Sequence, residues 1–287
     1  LDSLIAHAQK LEAQGFHAMS MANIFGYDAI GALTLVGHNT SKIELSTAVV
    51  PTYPRHPTAI AQQALTAQAA SKGRFTLGIG LSHKVVIENM LGMSYDKPAL
   101  HMREYLEILS PLLRGEQANF DGDQYRTHAA LQVPDAKPVA LWVAALGPVM
   151  LKLAGRLADG TVLWMTGPKT IEGHIRPGIA AAAEEAGKPA PRIAAGFPVA
   201  VTTDPDGART KIGEMLQMYG QLPSYRAMLD REGAAGPADM AIVGDEGTIR
   251  DQIRRLEEAG VTDFQAVAMP LEEGMEERTL DMLSTLT

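Results

Sequence analysis

The segment 42–83 constrains the fold more than any other part of the chain, because it reads as a strand, a helix and a second strand in succession. A β-rich run over 42–48 breaks at Pro51-Thr52-Tyr53-Pro54, and a helix is predicted over 58–71. A second strand is predicted over 74–79. This order is the building unit of a parallel sheet, and prolines and glycines crowd both strand ends. In α/β folds, ligand sites are built at those ends.

Alternating strand and helix patterns continue along the rest of the 287 residues. About seven strands are predicted, and no Gly/Ser-rich linker or internal repeat divides them, so we expect one domain over residues 1–287. The strand count and the length favour a (β/α)8 TIM barrel over a doubly wound sheet. Because residue 1 already lies in a helical pattern, we expect the first barrel strand to be missing from this chain. Segments 115–137 and 204–245 are predicted insertions.

Several predicted elements in the second half bear on the site. The helix predicted over 148–157 begins with proline, a residue favoured at the first helical position. A strand over 160–164 follows, and one continuous helix is predicted over 169–186. Further helices are predicted over 206–219 and 224–232, within the second insertion.

Composition excludes several classes of function. The formal net charge is −8, which argues against nucleic acid or an anionic membrane as a partner. The absence of cysteine excludes disulfides, thiolate metal sites and a cysteine nucleophile. Histidines and carboxylates do not cluster at metal-ligand spacing, so no metal is expected. No apolar run has the length of a membrane span and no signal peptide is visible, so the expected location is the cytoplasm.

Two glycine-containing strand ends are candidate ligand sites. Gly78-Ile79-Gly80 lacks the third glycine of a dinucleotide fingerprint, and such glycines are as often turn formers as ligand contacts. In Ala144-Ala145-Leu146-Gly147-Pro148-Val149 a strand ends and a helix begins. The free N–H groups of that first helical turn suit a phosphate. The alternative is an ordinary helix start with nothing bound.

Histidines and one tryptophan supply the remaining candidates. His56 and His83 each follow a strand end, whereas His101 and His128 are predicted to be solvated. His83 is our candidate for the catalytic residue, since a histidine can donate or accept a proton near neutral pH. The competing interpretation of His83 is a hydrogen bond to cofactor or loop backbone. Trp164, at another strand end, is interpreted either as barrel core or as lining for a flat cofactor.

The segment Ser71-Lys72-Gly73-Arg74, followed by an apolar strand that closes in Gly78-Ile79-Gly80, resembles the hallmark of the bacterial luciferase-like monooxygenase superfamily. Ser46-Thr47-Ala48-Val49-Val50-Pro51 and Ala154-Gly155-Arg156-Leu157-Ala158-Asp159-Gly160 fit the same superfamily. The resemblance runs from residue 1 to about residue 269. It implies a TIM barrel with a flavin-type ring at the C-terminal ends of the strands.

Within this superfamily the chain resembles the branch that uses the deazaflavin coenzyme F420. The stretches that carry this resemblance are Pro51-Thr52-Tyr53-Pro54-Arg55-His56-Pro57, Gly80-Leu81-Ser82-His83 and Gly220-Gln221-Leu222-Pro223-Ser224-Tyr225. Sugar-phosphate dehydrogenases of the family carry Asp-His after the second strand, where this chain has Asn23-Ile24. That activity is therefore rejected.

Cofactor contacts follow from the resemblance and from the strand ends. A non-prolyl cis peptide, which family members have behind the ring, would fall at Thr47–Ala48. The expected cofactor-binding residues are Asn23, Thr47, Ala48, Gly80, Leu81, Ser82, His83, Ala145, Leu146, Gly147, Pro148, Val149 and Trp164.

The substrate pocket is expected over the ring, between the segments 84–97 and 204–240. Its aromatic and apolar residues suggest a flat apolar compound, and the alternative is ordinary loop packing. The expected pocket residues are Tyr53, Met90, Tyr219, Leu222 and Tyr225.

Three functions compete at this point. The first is an F420-dependent oxidoreductase that transfers a hydride between the deazaflavin and a small organic substrate. The second is an FMN-dependent luciferase-like monooxygenase. The third is a non-catalytic flavin-binding or structural relative. The resemblance also implies a homo-oligomer, specifically a homodimer, with no nucleic-acid or membrane partner.

Overall fold

The computed structural model describes residues 1–286. The chain divides into two compact units. The first contains residues 1–144 and 153–160, and the second contains residues 145–152 and the chain from Thr161 onward.

The first unit is built on a parallel sheet in which β1, β2, β4 and β7 are neighbours in that order, and β3 also pairs with β4. Strands β5 and β6 form a separate antiparallel hairpin. The strands are β1 (Ala18–Met21), β2 (Glu44–Thr47), β3 (Val50–Pro51), β4 (Phe75–Gly80), β5 (Ala118–Asp121), β6 (Arg126–Ala129) and β7 (Ala140–Ala144). The helices are α1 (Asp2–Ala13), α2 (Ala29–His38), α3 (Pro57–Ala70) and α4 (Pro98–Leu113), with a π-helical turn over Val85–Met90.

The Ser-Lys-Gly-Arg motif has a structural explanation in this unit. Helix α3 ends before Ser71, and the chain reverses through Lys72 and Gly73, with φ of 57° and 94°. The Arg74 guanidinium then donates hydrogen bonds to the carbonyl oxygens of Gly37 (2.8 Å) and Thr40 (2.9 Å). A cation at the C-terminal end of α2 satisfies carbonyls that lack helical partners and suits the helix dipole. The motif therefore joins α2 to the start of β4.

A carboxylate provides a second connection. Glu12, near the end of α1, accepts hydrogen bonds from the backbone N–H groups of Ser41 (2.9 Å), Lys42 (2.8 Å) and Ile43 (3.0 Å). Burial alone would raise the pKa of Glu12, but these hydrogen bonds to the ionised form lower it to about 2. The ionised Glu12 thus holds the segment that leads into β2.

The second unit is organised around the long strand β9. Strand β11 pairs with β9 in parallel, with Asp263 opposite Ala194, and β10 pairs with its C-terminal end, with Ile242 opposite Val199. The strands are β8 (Gly160–Trp164), β9 (Arg192–Val201), β10 (Ile242–Gly244) and β11 (Asp263–Ala268). The helices are α5 (Pro148–Leu157), α6 (Pro168–Thr170), α7 (Arg176–Glu185), α8 (Pro205–Met215), α9 (Pro223–Glu232), α10 (Glu246–Ala259) and α11 (Met275–Ser284). Residues 153–157 of α5 and Gly160 of β8 are counted in the first unit. A π-helical turn covers Ile171–Ile175, and 3-10 turns cover Gln217–Gln221 and Pro237–Met240.

Glu232, the last residue of α9, anchors the start of α6. Its carboxylate accepts hydrogen bonds from the N–H groups of Lys169 (3.2 Å) and Thr170 (2.8 Å), and from the Thr170 hydroxyl (2.8 Å). These N–H groups lie in the first turn of a helix, where they have no intrahelical partner. Glu232 therefore fixes α9 against α6.

The elements predicted over 148–157 and 160–164 are confirmed at their exact bounds. The continuous helix predicted over 169–186 is wrong, because a π-helical turn at Ile171–Ile175 separates α6 from α7. The helix predicted over 206–219 ends at Met215, and a 3-10 turn follows. Apolar spacing cannot distinguish these tighter and wider turns from regular helix. Within residues 1–286, no helix combines the length and hydropathy needed to cross a membrane.

Candidate functional site

A backbone bulge follows β2 in the first unit. The hydroxyl of Thr47 donates to the carbonyl oxygen of Gly78 and accepts from its N–H group, both at 2.8 Å. The cis peptide bond lies between Ala48 and Val49. The position predicted for it, Thr47–Ala48, is therefore wrong by one residue. Thr47 is still hydrogen-bonded to Gly78 of β4, so the chain departs from β2 only after Thr47.

The two glycines at the end of β4 make room for this bulge. A Cβ atom at Gly78 would lie 2.0 Å from the carbonyl oxygen of Thr47, and one at Gly80 would lie 2.8 Å from a methyl group of Val49. Neither distance allows a side chain without movement of the bulge. This close backbone approach explains the Gly-Ile-Gly pattern without a ligand.

The loop after β4 carries His83. Ser82 adopts a left-handed conformation with φ of 60°, and the His83 carbonyl oxygen accepts from the N–H groups of Val86 (2.9 Å) and Ile87 (3.0 Å). Those bonds begin the π-helical turn that follows. The His83 side chain is half-buried, and burial lowers its pKa from the ordinary value. The imidazole is thus predominantly neutral near pH 7 and is better suited to accept a proton than to donate one.

Asn23 supports the bulge from the end of β1. Its N–H donates to the Val49 carbonyl oxygen (3.2 Å), and its Oδ1 accepts from the N–H of Ala29 at the start of α2 (3.0 Å). The side-chain oxygen is therefore used within the protein. His56 is also engaged, since its Nδ1 accepts from the N–H of Thr58 as the N-cap of α3.

A stack of aromatic rings lies behind these loops. Tyr53 stacks on His101, with ring centroids 3.9 Å apart, and on Tyr95, with centroids 5.3 Å apart. The prediction that His101 is solvated is wrong, because α4 turns it inward and its side chain is 3% exposed. Nε2 of His101 lies 2.9 Å from the Thr52 hydroxyl. Burial lowers the pKa of His101 to about 4. His128 is exposed, as predicted.

The segment between the Ser82 loop and α4 presents apolar side chains to solvent. Met90 is 59% exposed, and Ile87 anchors the segment from its buried side. The other exposed apolar residues of this segment are Val85, Leu91 and Met93. Scattered exposed apolar residues are ordinary on a surface, whereas a group within one short segment makes that segment a candidate contact surface.

In the second unit, the turn at Ala145 and Leu146 that precedes α5 is shaped by a histidine. Ala145 is buried, and the carbonyl oxygen of Leu146 accepts a hydrogen bond from Nε2 of His174 at 2.8 Å. A Cβ atom at Gly147 would meet no atom within 4 Å. The backbone at Gly147 is therefore open to a ligand, while the Leu146 carbonyl oxygen is hydrogen-bonded to His174.

Helix α5 begins directly at this open backbone. Leu151 donates the first helical bond to the Gly147 carbonyl oxygen (3.0 Å), and Pro148 has no N–H group. Helix geometry leaves the N–H of Val149 without an intrahelical partner, and the Val149 side chain is 57% exposed. The arrangement suits an anion at this turn.

Sequence reasoning missed His174. The residue lies in the π-helical turn Ile171–Ile175, inside a stretch that was predicted as regular helix. Its contact with Leu146 spans 28 residues of sequence, and no local pattern indicates it.

Three of the predicted aromatic residues come together in the second unit. The rings of Trp164 and Tyr219 have centroids 6.5 Å apart, and those of Tyr219 and Tyr225 lie 5.0 Å apart. Leu222 lies between the two tyrosines in sequence and precedes α9. Burial raises the pKa of Tyr225. Nε1 of Trp164 is buried and has no hydrogen-bond partner among residues 1–286, so it can donate to a bound molecule.

Comparison with known proteins identifies the family. Residues 1–263 match the family model described as luciferase-like monooxygenase. The chain belongs to this family. The resemblance inferred from the sequence motifs is thereby confirmed.

Proteins similar to this luciferase-like chain include an enzyme named for F420 and, in fold, an enzyme solved with FMN. The 5,10-methylenetetrahydromethanopterin reductase of Methanolobus tindarius is 30% identical over 243 residues, which cover 84% of this chain and 74% of the relative. The structure of the coenzyme F420-dependent tetrahydromethanopterin reductase from Methanopyrus kandleri has a TM-score of 0.81 and 25% identity, covering 98% of this chain and 93% of that one. A type II Baeyer–Villiger monooxygenase from Pseudomonas putida, solved with FMN, has a TM-score of 0.76 and 17% identity, covering 99% and 91%.

These comparisons confirm the predicted fold class, a luciferase-like TIM barrel. Relatives named for F420 also place the chain among F420-dependent oxidoreductases. The residues of the chain fit such a cofactor on two observations of the second unit: the open backbone at Gly147 and the unpartnered indole N–H of Trp164. No group of three or more histidine, aspartate or glutamate side chains in residues 1–286 is arranged to hold a metal ion.

Proposed function

We propose that this luciferase-like chain is an F420-dependent oxidoreductase that transfers a hydride between the deazaflavin and a small organic substrate. The observation that carries the proposal is the open turn at Gly147, whose preceding carbonyl is held by His174. Enzymes named for F420 among its relatives support the choice of cofactor. Bound F420 supplies the hydride chemistry at its ring, and the protein supplies position and electrostatics.

The phosphate side of the cofactor is assigned to the second unit. The N–H groups at the start of α5 face an open approach, and the helix dipole favours an anion there. The proposed residues of this side are Ala145, Leu146, Gly147, Pro148, Val149 and Trp164.

The ring side is assigned to the first unit. The bulge at Thr47 and Ala48, fixed by Gly78 and by Asn23, offers a rigid backbone surface. The loop Leu81-Ser82-His83 follows Gly80 and supplies the polar groups. His83 is the proposed group for proton transfer, and burial lowers its pKa, which leaves the imidazole neutral at pH 7.

The proposed substrate contacts are aromatic and apolar residues, taken unit by unit. Tyr53 and Met90 belong to the first unit, and Tyr219, Leu222 and Tyr225 to the second. Their character favours an apolar substrate with a flat body. We further propose a single luciferase-like domain over residues 1–287, a homodimer as the working form, and a cytoplasmic location.

An FMN-dependent monooxygenase is the second candidate, and the FMN-bound neighbour favours it. The two cofactors differ in their tails, since F420 carries a phosphodiester and FMN a single terminal phosphate. A non-catalytic flavin-binding or structural relative is the third candidate.

Titration of the purified chain with F420 and with FMN, followed by fluorescence, separates the three candidates. We expect F420 to bind more tightly than FMN, and tighter FMN binding would reverse the assignment. Gly147→Asp should weaken F420 binding by about 1 kcal/mol or more, because it places a negative charge at the phosphate turn. Gly236→Asp is the matched control, since Gly236 also has no atom within 4 Å of an added Cβ. Unchanged F420 affinity in Gly147→Asp would place the phosphate elsewhere.

A further inference from the structure

Tyr53 carries a buried hydroxyl that the protein does not use. The side chain is 8% exposed, and among residues 1–286 its Oη has no hydrogen-bond partner. Buried polar groups are almost always hydrogen-bonded, because an unmade bond costs folding free energy. A phenylalanine would fill the same ring stack without that cost. The hydroxyl therefore calls for an explanation outside the folded chain itself.

The neighbouring rings show that the stack can satisfy its polar atoms. Tyr105 donates to the carbonyl oxygen of Arg55 at 3.0 Å, and Tyr95 donates to that of Ser82 at 3.3 Å. His101 is bonded to Thr52 through Nε2. Tyr53 lies at the centre of the stack, between His101 and Tyr95. Its hydroxyl is unlike the polar atoms of Tyr105, Tyr95 and His101, because it has no hydrogen-bond partner among residues 1–286.

The position of Tyr53 relates this hydroxyl to the proposed ring side. The N–H of Thr52 donates to the carbonyl oxygen of Gly80 at 3.0 Å, so Tyr53 follows directly on the residue that is bonded to the end of β4. The proposed cofactor loop begins at that same end. Tyr95, which covers one face of Tyr53, is bonded to Ser82 of this loop.

We infer that the Tyr53 hydroxyl is a hydrogen-bond donor to an acceptor oxygen of the substrate, with the stacked rings around it receiving the apolar body. This inference rests on the proposed function and names a substrate class: a flat apolar compound that presents a carbonyl oxygen. The exposed Met90 and the apolar residues beside it, on the segment that carries Tyr95, extend the apolar surface that such a compound would contact.

The inference places the route to the hydroxyl at Tyr95, whose ring stacks on one face of Tyr53. Tyr95 makes a ring contact with Tyr53 and donates a long hydrogen bond to the carbonyl oxygen of Ser82, which belongs to the same connection between β4 and α4 as Tyr95. Displacement of this ring by an incoming flat compound therefore exchanges one stacking contact for another and uncovers the donor.

The test pairs one hydroxyl with one ligand oxygen. 2-Tetralone and tetralin share a flat bicyclic body, and only 2-tetralone carries a carbonyl. Both are titrated into the chain loaded with F420, for the wild type and for Tyr53→Phe. We expect the wild type to bind 2-tetralone about tenfold more tightly than tetralin, a typical scale for one neutral hydrogen bond, and Tyr53→Phe to remove that difference. The F420 affinity and the Tm of Tyr53→Phe should be unchanged, or the Tm raised.

Tyr105→Phe is the matched control, because it removes a buried hydroxyl that has a protein partner. It should lower the Tm and keep the preference for 2-tetralone. The inference is overturned if the wild type binds neither compound or shows no preference, or if Tyr53→Phe keeps the preference. A tenfold loss of F420 affinity in Tyr53→Phe would mean that the hydroxyl donates to the cofactor and not to the substrate. A fall in the Tm of Tyr53→Phe would mean that the hydroxyl donates to a structural water. Failure of the wild type to bind F420 would instead overturn the proposed function.

Discussion

Nε2 of His174 lies 2.8 Å from the carbonyl oxygen of Leu146, and this hydrogen bond holds the turn that begins helix α5. The two residues are far apart in sequence but belong to the same compact unit. The imidazole orients the peptide that precedes Gly147. The proposed phosphate turn thus depends on a side chain that lies outside it.

His174→Ala should weaken F420 binding about tenfold, because the Leu146 carbonyl loses its donor and the turn gains freedom. His174→Gln, whose side chain also carries an N–H donor, should recover most of the affinity. The measurement is the F420 dissociation constant of each variant, together with its Tm. Equal losses in both variants, or a loss only of Tm, would show that His174 merely stabilises the fold.

His83→Ala distinguishes proton transfer from binding. If His83 accepts the proton that accompanies hydride transfer, turnover at saturating cofactor and substrate should fall about 100-fold with nearly intact F420 affinity. Steady-state kinetics with titrated cofactor provide both quantities. A binding role would reverse the pattern, with weaker F420 binding and largely preserved turnover. His56→Ala is a suitable comparison, because His56 also follows a strand end but caps a helix.

Gly78→Ala should destabilise the chain by about 3 kcal/mol or more, at the upper end of overpacking costs. The added Cβ would lie 2.0 Å from the Thr47 carbonyl oxygen, and a backbone atom of a bonded bulge cannot easily move. Gly26→Ala is the matched control, since no atom lies within 4 Å of its added Cβ. Urea unfolding of both variants measures the difference. Equal stabilities would show that the bulge can adjust.

The pH dependence of stability should report the contact of Glu12 with the segment 41–43. The folded-state pKa of Glu12, about 2, lies below the value near 4.3 for an unfolded glutamate. The contribution of Glu12 to the free energy of unfolding is therefore fully present above about pH 4.3 and is lost as the pH falls toward 2. Urea unfolding from pH 5 to pH 2 should show a shallower decline for Glu12→Gln than for the wild type. Parallel curves would mean that Glu12 does not contribute.

The parallel barrel class and the strand ends follow from the sequence because alternation and breaker residues are local signals. The same locality explains the errors. The burial of His101 depends on which face of α4 packs against the loop that carries Tyr53. The cis peptide bond lies one residue later than predicted, because Thr47 stays hydrogen-bonded to Gly78. His174 could not be found from the sequence, because its partner is fixed only when a π-helical turn aligns it with Leu146.

The anchoring of α9 by Glu232 bears on how this scaffold could diversify. Glu232, at the C-terminal end of α9, accepts a hydrogen bond from the N–H of Thr170 in α6, whereas Leu222 and Tyr225 lie at the N-terminal end of α9. Substitutions at that opposite end can therefore change the proposed substrate contacts while the helix stays attached to the segment that carries His174. Under the proposed function, selection for new substrates, in nature or in the laboratory, can act on this end of α9 while its other end stays bonded to α6.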